Sequence, residues 1–492
     1  MASEHLNAGA APRTSDIVLM NAADLAEAIG ARKVSCVEVM GAYLDHIDAF
    51  NPRVNAIVAL QDRVELMAQA NERDAQVGRG ETMGPLHGFP LAPKDLQWVK
   101  DIRSTWGSPI LKDFVPDRDA LPVERMRAAG AIFIGRTNTP EFGLGSHTYN
   151  PVHGATRNAY DQTKSAGGSS GGAAVSLALR MLPVADGGDY GGSLRNPAGW
   201  NNVFGFRTSI GVVPVAGDEV WLPSMSVIGP MARNVTDLAL LLSVLAGQDS
   251  RSPLSMAGEG RRFLGPLEAD VKGRRIAWLG DFDGWAPYEP GVLDLCRGAL
   301  KTFEALGCAV EEAVPDLAPE PVWQAFRQLR HWQTGAGLLV HYKDPARRAM
   351  MKPEAIWEVE NGLALSAFDV STASTTRTAW SNAVAELFER YDFLVAPTAQ
   401  MFPFDVDETW PRQIAGQGMG TYHEWMKAVC LITMSGCPCL AVPAGFGPQG
   451  LPMGLQIIAP LHRETDCLKL GFAYEAATNW TSIRMPPLLR LH

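Results

Sequence analysis

The sequence predicts an α/β protein whose sheet is largely covered by helices. Short apolar runs, as in residues 276–280, 393–396 and 453–459, alternate with longer segments of helical periodicity. A strand that is apolar throughout is typical of a sheet with helices on both faces. No proline-, serine- or charge-rich linker interrupts the 492 residues, so we predict a single domain spanning residues 1–492.

The N-terminal region, residues 1–80, is predicted to be helical. One helix begins after Asn21. Ser35 and Glu38 have the spacing of a capping box for the next helix, and a third helical pattern covers about 62–76.

The central region, residues 81–240, is richer in strands and tight turns. It contains two glycine-serine loops, 167–172 and 187–193, each bounded closely by apolar segments. Between them the sequence predicts a helix over 173–179 and a buried strand over 181–185. Upstream the pattern indicates a helix, a short strand and the start of a loop at 122–129, 131–134 and Arg136.

The C-terminal half continues the alternation of strands and helices. Residues 315–390 are predicted to form a helical periphery, and residues 391–492 to supply core strands and a last helix starting near Thr465. The glycine pattern at 445–450 lies between two strands. We interpret it as a hairpin connection, because a dinucleotide site needs a following helix.

Composition excludes several classes of function. The net charge of −10 and the pI near 5.5 disfavour binding to nucleic acid or anionic lipid. No apolar run reaches the ~18 residues of a membrane span, and residues 1–20 lack the basic and apolar parts of a signal peptide. Seven cysteines, an odd and scattered set, suit a reducing compartment. We therefore predict a cytoplasmic protein without nucleic-acid or membrane partners.

No motif indicates a cofactor or a metal. The Walker-like spacing at 130–137 has arginine in place of lysine and an apolar strand in place of a phosphate-binding loop. Cys437 and Cys439 lack a second pair at zinc-site spacing, so we interpret them as buried thiols. We predict that the protein uses neither a cofactor nor a metal.

The glycine-serine loops indicate acyl transfer. Glycines let consecutive N–H groups point into one small space, where they can stabilise an oxyanion beside a serine. Linkers share this composition, but linkers are not bounded by apolar segments. The pattern at 167–171 also matches the G-x-S-x-G elbow of α/β-hydrolases, which leaves open an esterase using Ser169 with His423, His462 or His492 as its base. The polar segment before Ser169 argues against that elbow, which follows a buried strand.

Several motifs in a fixed order resemble the amidase signature family, which hydrolyses carboxamides through a Ser–cis-Ser–Lys triad. The resemblance extends from about Asp24 to Tyr474. It rests on G-x-P-x-x-x-K-D at 88–95, G-R-T-N-x-x-E at 135–141, the loop 167–172, D-x-G-G-S-x-R-x-P at 189–197, the segments 229–233 and 435–438, and G-L-P-M-G-L-Q at 450–456. It implies a large mixed β-sheet covered on both faces by helices and a catalytic core within residues 81–240.

The resemblance also implies a role for each matching position. Ser193 is expected to be the nucleophile, Ser169 the relay after a cis peptide bond, and Lys94 the base. The oxyanion hole is expected to consist of the backbone N–H groups of Tyr190, Gly191, Gly192 and Ser193. Ser169 and a wall made of Gly143, Leu144 and Gly145 are expected to bind the substrate. The residues expected to brace the loops are Ser170, Asp189 and Arg195.

A lysine base must be neutral at the working pH. The ordinary lysine pKa is about 10.4, so burial has to lower it to about 7–8. The run of prolines and apolar residues at 90–93 is consistent with a buried Lys94. Without the two loops, the simpler interpretation would be a surface lysine paired with Asp95.

The substrate and the partners stay open at this level. Tyr190 and Trp200 depart from the usual family pattern, as do the segments 158–159 and 206–208, and both aromatic residues are predicted to reshape the pocket. We expect a small-molecule amide substrate. Other hypotheses are the amidase subunit of a tRNA-dependent amidotransferase and an inactive binding protein on this fold. The resemblance makes a homodimer a further prediction.

Overall fold

The computed structural model describes residues 16–81, 83–217, 219–222 and 225–490. The first 15 residues, which make up most of the segment without signal-peptide features, lie outside the described residues. None of the helices in the described ranges combines the length and the apolar character needed to span a bilayer.

The centre of the fold is an eight-stranded mixed sheet. The strands of the described chain are β1 (Ile57–Val58), β2 (Pro90–Leu91), β3 (Ile132–Phe133), β4 (Arg136–Thr137), β5 (Ala185–Asp189), β6 (Phe204–Arg207), β7 (Val227–Ala232), β8 (Arg275–Trp278), β9 (Ala309–Glu312), β10 (Phe393–Pro397), β11 (Gln413–Ile414), β12 (Gln417–Gly418), β13 (Cys439–Phe446) and β14 (Pro452–Ile458). The order across the large sheet is β5-β7-β6-β13-β14-β10-β8-β9. β8 pairs in parallel with β10 and β9, and the other neighbours are antiparallel.

Burial along the strands explains their apolar sequences. Every residue of β10 and β14 is buried, and successive side chains of a strand point to opposite faces of the sheet. Both faces of the sheet are therefore covered, and the predicted fold class is confirmed. The edge strand β9 differs, because its residues are exposed or half-buried.

Helices form most of the remaining regular structure. They are α1 (Asp16–Leu19), α2 (Ala22–Gly30), α3 (Cys36–Val54), α4 (Arg63–Gly78), α5 (Leu121–Ala128), α6 (Gly171–Ala178), α7 (Arg195–Trp200), α8 (Val235–Leu245), α9 (Val292–Ala305), α10 (Pro319–Tyr342), α11 (Pro345–Arg348), α12 (Pro353–Leu363), α13 (Ala367–Phe388), α14 (Lys427–Ser435), α15 (Glu464–Thr478), α16 (Trp480–Ile483) and α17 (Pro487–Arg490), with 3-10 turns at Pro109–Leu111, Glu141–Gly143, Gly260–Leu264 and Glu424–Met426. The predicted capping box of α3 is present. Ser35 Oγ accepts the Glu38 N–H at 3.1 Å, and Glu38 Oε2 accepts the Ser35 N–H at 2.8 Å.

The strand that leads to Ser193 is displaced from its predicted position. The sequence predicts a strand over 181–185, whereas β5 is Ala185–Asp189 and enters the second glycine loop. β5 pairs with β7, which places Gly187 opposite Gly229. A side chain at position 187 would bring its Cβ within 2.8 Å of Ser170 Oγ, so glycine lets this strand lie against the first loop. A glycine-rich strand carries no apolar pattern, and the prediction therefore missed it.

Two smaller predictions are also wrong. Arg136 begins the short strand β4 and not a loop, because β4 pairs with β1. α15 starts at Glu464, beside the predicted Thr465, but the two four-residue helices α16 and α17 follow it.

Candidate active site

Lys94 lies in the interior of the protein and is only 1% exposed. Its backbone N–H donates to Asp186 Oδ1 at 3.1 Å. Its Nζ lies 2.8 Å from Ser169 Oγ and 2.9 Å from Ser170 Oγ. Burial lowers the pKa of Lys94 to about 7, against the opposing charges of Asp186 and Asp189. The surface-lysine interpretation is therefore wrong.

Ser169 lies between an irregular segment and helix α6, which begins at Gly171. The Gly168–Ser169 peptide bond is cis, as the resemblance implies. Ser170, expected to brace the loops, contacts Lys94 directly. No strand of the described chain leads straight into Ser169, and its hydroxyl contacts a lysine, not a histidine. The geometry therefore does not support an esterase elbow.

Ser193 lies in the second loop, between β5 and α7, and is 8% exposed. Its carbonyl accepts the Ser170 N–H at 3.2 Å, which connects the two loops. Ser193 and Ser169 line the same cavity, but no hydrogen bond joins their hydroxyls in the described structure. The contact between Lys94 and Ser169 is present, and the approach of Ser193 to Ser169 stays a prediction.

Asp189 organises the backbone around Ser193. It is fully buried and accepts the N–H groups of Gly192 at 2.9 Å and Leu194 at 3.1 Å. Arg195 Nε lies 2.9 Å from Asp189 Oδ2, and Arg207 Nη1 lies 3.2 Å from Oδ1. Although burial opposes ionisation, these two guanidinium groups hold the pKa of Asp189 well below its usual range. Asp189 and Arg195 thus lie where bracing residues are expected, and Arg207 joins them from a segment that departs from the family pattern.

The expected oxyanion hole loses one of its four donors. The N–H of Gly192 donates to Asp189 Oδ1 at 2.9 Å, so it is not available to an oxyanion. Gly192 has a φ of 105°, and a side chain there would place its Cβ 2.6 Å from Val429 Cγ1. The N–H groups of Tyr190, Gly191 and Ser193 remain as the predicted donors.

A cavity of about 420 Å³ joins the groups described above. Lys94, Ser169 and Ser193 line it, together with the expected wall Gly143–Gly145. Another wall comes from one face of α10, which no motif signals: Phe326, Arg330, Gln333, Thr334, Gly337 and Leu338. Their helical spacing is the signal that could have predicted a shared face.

The two aromatic departures from the family pattern have different locations. Tyr190 lines the cavity, and its hydroxyl donates to Gln333 Oε1 at 2.7 Å. Trp200 is fully buried and stacks on Trp425, with ring centroids 5.6 Å apart. The prediction that Trp200 shapes the pocket is wrong, because α7 directs its side chain into the core.

Asp186 is a titratable neighbour of Lys94 that the motifs do not signal. Its Oδ1 accepts the Lys94 backbone N–H, and its Oδ2 has no hydrogen-bond partner among the described residues. Burial raises the pKa of Asp186 to about 6. Above that pH its charge favours protonated Lys94 and so limits how far the lysine pKa falls.

A larger cavity, of about 810 Å³, lies between the segments 141–151, 350–357 and 409–422. Its lining contains no serine and none of the groups around Lys94, so the smaller cavity is the candidate active site. All seven cysteines are buried free thiols, as predicted for Cys437 and Cys439. Within the described ranges, no group of three His, Cys, Asp or Glu side chains is placed to hold a metal ion.

Comparison with known proteins gives matches to amidases and to a subunit of an amidotransferase. The family model described as Amidase matches residues 38–468. The chain is 32% identical over 472 residues to an acylamidase of Rhodococcus erythropolis, covering 94% of this chain and 96% of the relative. It is 32% identical over 467 residues to a subunit of the glutamyl-tRNA(Gln) amidotransferase of Thermosynechococcus vestitus, covering 91% and 95%. The crystal structure of a bacterial aryl acylamidase of the amidase signature family matches with a TM-score of 0.89 and 29% identity, covering 97% of this chain and 99% of that one.

Proposed function

Because this chain belongs to the amidase signature family and is an amidase acting on carbon–nitrogen bonds other than peptide bonds, we propose that it hydrolyses small carboxamides through an acyl-enzyme on Ser193. The proposal depends above all on the contact of 2.8 Å between the buried Lys94 Nζ and Ser169 Oγ. Ser193 lines the same cavity.

The proposed reaction moves one proton through two hydroxyls. Ser193 Oγ attacks the carboxamide carbon and gives its proton to Ser169 Oγ, which passes its own proton to the neutral Lys94 Nζ. Protonated Lys94 then returns a proton through Ser169 to the leaving nitrogen, and the C–N bond breaks. A water molecule deprotonated by the same pair attacks the acyl ester and releases the carboxylic acid.

Backbone donors beside Ser193 would stabilise the tetrahedral intermediate. The carbonyl oxygen of the substrate becomes negative as Ser193 attacks, and fixed N–H groups lower the energy of that charge. Tyr190, Gly191 and Ser193 supply the proposed donors. The hydrogen bonds of Asp189 to Gly192 and Leu194 hold the loop that carries them.

The cavity wall favours a substrate with an apolar or aromatic body. Its lining includes Trp106, Phe142, Phe326, Leu338 and Met426, and apolar walls with a few polar groups are typical of small-molecule sites. The similarity to an acylamidase and an aryl acylamidase makes aryl and alkyl amides the first compounds to assay.

Labelling with phenylmethanesulfonyl fluoride is expected to add a single sulfonyl group, located on Ser193. The reagent reacts with an activated serine hydroxyl, and Ser193 is the proposed nucleophile. Mass spectrometry of the digested protein locates the adduct, and Ser193→Ala serves as the unlabelled control. An adduct on Ser169 would contradict the relay and favour the esterase elbow.

The rate constant kcat/KM for an uncharged aryl amide is expected to rise with pH through about 7 and to level off above it. The proposed base accepts a proton only when it is neutral, and burial places the pKa of Lys94 at about 7. Below that pH the rate should fall about tenfold per pH unit. Initial rates from pH 5 to pH 9 check this profile, and full activity of Lys94→Ala would show that another group is the base.

A second candidate function is that of an amidotransferase component, which the similarity to a subunit of such an enzyme favours. Such a chain would act together with partner subunits. Hydrolysis of simple amides by the isolated chain supports the first proposal. Activity that appears only in a co-purified complex supports the second.

A further inference from the structure

Arg330 places one unused donor nitrogen at the wall of the candidate active site. The residue is 6% exposed and lines the cavity. Its Nε donates to Glu358 Oε1 at 3.0 Å and to His423 Nε2 at 2.8 Å, and its Nη2 donates to Tyr422 Oη at 3.0 Å. Within the described part of the chain, Nη1 makes no hydrogen bond, yet it is not enclosed by other atoms. A guanidinium N–H is therefore left for a ligand in the cavity.

A buried carboxylate fixes the position of this guanidinium. Glu358 is fully buried and accepts hydrogen bonds from His331 Nδ1 at 2.6 Å and from the Tyr422 hydroxyl, in addition to that from Arg330. The Arg330 Cζ also lies over the Tyr190 ring, 4.9 Å from its centroid. The donor is thus held in one orientation before any ligand arrives, which lowers the entropic cost of binding.

The charges around Asp189 and Tyr190 favour a negatively charged ligand. They comprise four guanidinium groups and two carboxylates: Arg195, Arg207, Arg330, Arg377, Asp189 and Glu358. Arg377 has no carboxylate within ion-pair distance in the described ranges, and its Nε donates to the carbonyl of Met434 at 3.3 Å. Arg330 is the guanidinium group of this set that lines the cavity, and positive charge stays in excess even when the Asp186 carboxylate beside Lys94 is counted, which favours an anion at Arg330.

We propose that Arg330 forms a carboxylate-binding subsite, so that the preferred substrates are amides carrying a carboxylate remote from the scissile bond. This step rests on the proposed hydrolysis at Ser193. Guanidinium groups bind carboxylates through charge-assisted hydrogen bonds of fixed direction. The apolar wall would then hold the body of the substrate between its carboxylate and the carbonyl that Ser193 attacks.

Matched amides that differ only in the carboxylate test the subsite. One pair is the succinyl 4-nitroanilide and its methyl ester, and the other is 4-acetamidobenzoate and its methyl ester. The wild type is expected to prefer the carboxylate in at least one pair by about tenfold or more in kcat/KM, mainly through a lower KM. Arg330→Gln should abolish that preference. Equal kcat/KM for the carboxylate and its ester in both pairs, or a preference that survives Arg330→Gln, overturns the proposal.

Arg327→Gln is the matched control, because Arg327 lies one turn earlier on α10, over the Trp357 ring and outside the cavity lining. It should keep the preference for the carboxylate. Arg330→Gln leaves Glu358 without its guanidinium partner, so Arg330→Met/Glu358→Gln is prepared as well, and thermal unfolding checks both variants. If only one of these two variants folds, loss of the preference for the carboxylate in that variant supports the subsite.

Calorimetry with Ser193→Ala separates this proposal from the proposed hydrolysis. The same four compounds are titrated into Ser193→Ala with and without Arg330→Gln. If a carboxylate binds more tightly than its ester and Arg330→Gln removes the difference, the subsite is supported. This holds even when the wild type cleaves none of the compounds, because absent cleavage contradicts only the proposed hydrolysis. Equal binding of carboxylates and esters overturns the subsite alone.

Discussion

The Ser193→Ala variant is expected to lose amide hydrolysis, with kcat lowered by about 10⁴-fold or more. The substitution removes the proposed nucleophile and leaves the backbone that connects the two loops, since the Ser193 carbonyl still accepts the Ser170 N–H. The Ser193 hydroxyl makes no hydrogen bond within the described residues. The free energy of unfolding should therefore change by no more than about 0.5 kcal/mol.

Ser176→Ala is the control for the loss of a serine hydroxyl near the site. The Ser176 hydroxyl donates to the Gly172 carbonyl at 2.7 Å inside α6 and does not reach the cavity. Alanine is a strong helix former, so this variant should retain activity. Steady-state kinetics on one aryl amide compare the two variants, and near-normal turnover by Ser193→Ala would show that another residue is the nucleophile.

The Asp189→Asn variant is expected to lose about 3–5 kcal/mol of unfolding free energy. A neutral amide at this position leaves the guanidinium groups of Arg195 and Arg207 fully buried without their carboxylate partner. Hydrolysis should fall as well, since the N–H groups of Gly192 and Leu194 lose the charged acceptor that shapes the loop around Ser193. Urea unfolding measures the first effect.

Glu312→Gln provides the comparison for Asp189→Asn. Glu312 pairs with Arg297 at 3.4 Å on the exposed edge of the sheet. An exposed ion pair contributes about 0–1 kcal/mol, so Glu312→Gln should change the free energy of unfolding very little. Equal stability of Asp189→Asn and the wild type would mean that the buried arginines do not depend on Asp189.

Local sequence patterns predicted the helices well and the strand beside Ser193 poorly. The capping box of Ser35 and Glu38 involves residues three apart, and the structure contains both of its hydrogen bonds. β5 depends instead on pairing between Gly187 and Gly229, which are distant in sequence. An apolar run at 181–185 resembles a strand, but no pattern within it shows which residues pair.

The motifs placed Lys94, Ser169 and Ser193 at one cavity, and the structure brings them to it. The same motifs contain no information on α10, because Arg330 and Gln333 come from a segment without a signature. Asp186 was missed for a related reason. Its effect on Lys94 depends on a contact across 92 residues and on its burial, not on a spacing.

The order and spacing of short motifs were enough to predict the family, the α/β class and the three residues nominated for catalysis, since these depend on residue type at fixed intervals. The lowered pKa of Lys94, the hydrogen bond of the Gly192 N–H to Asp189, and the donor nitrogen of Arg330 could be found only in the folded chain. Each depends on which groups remote in sequence share a space from which water is excluded. Desolvation in that space, opposed by the charges of Asp186 and Asp189, and not the identity of any single residue, sets the pKa of Lys94.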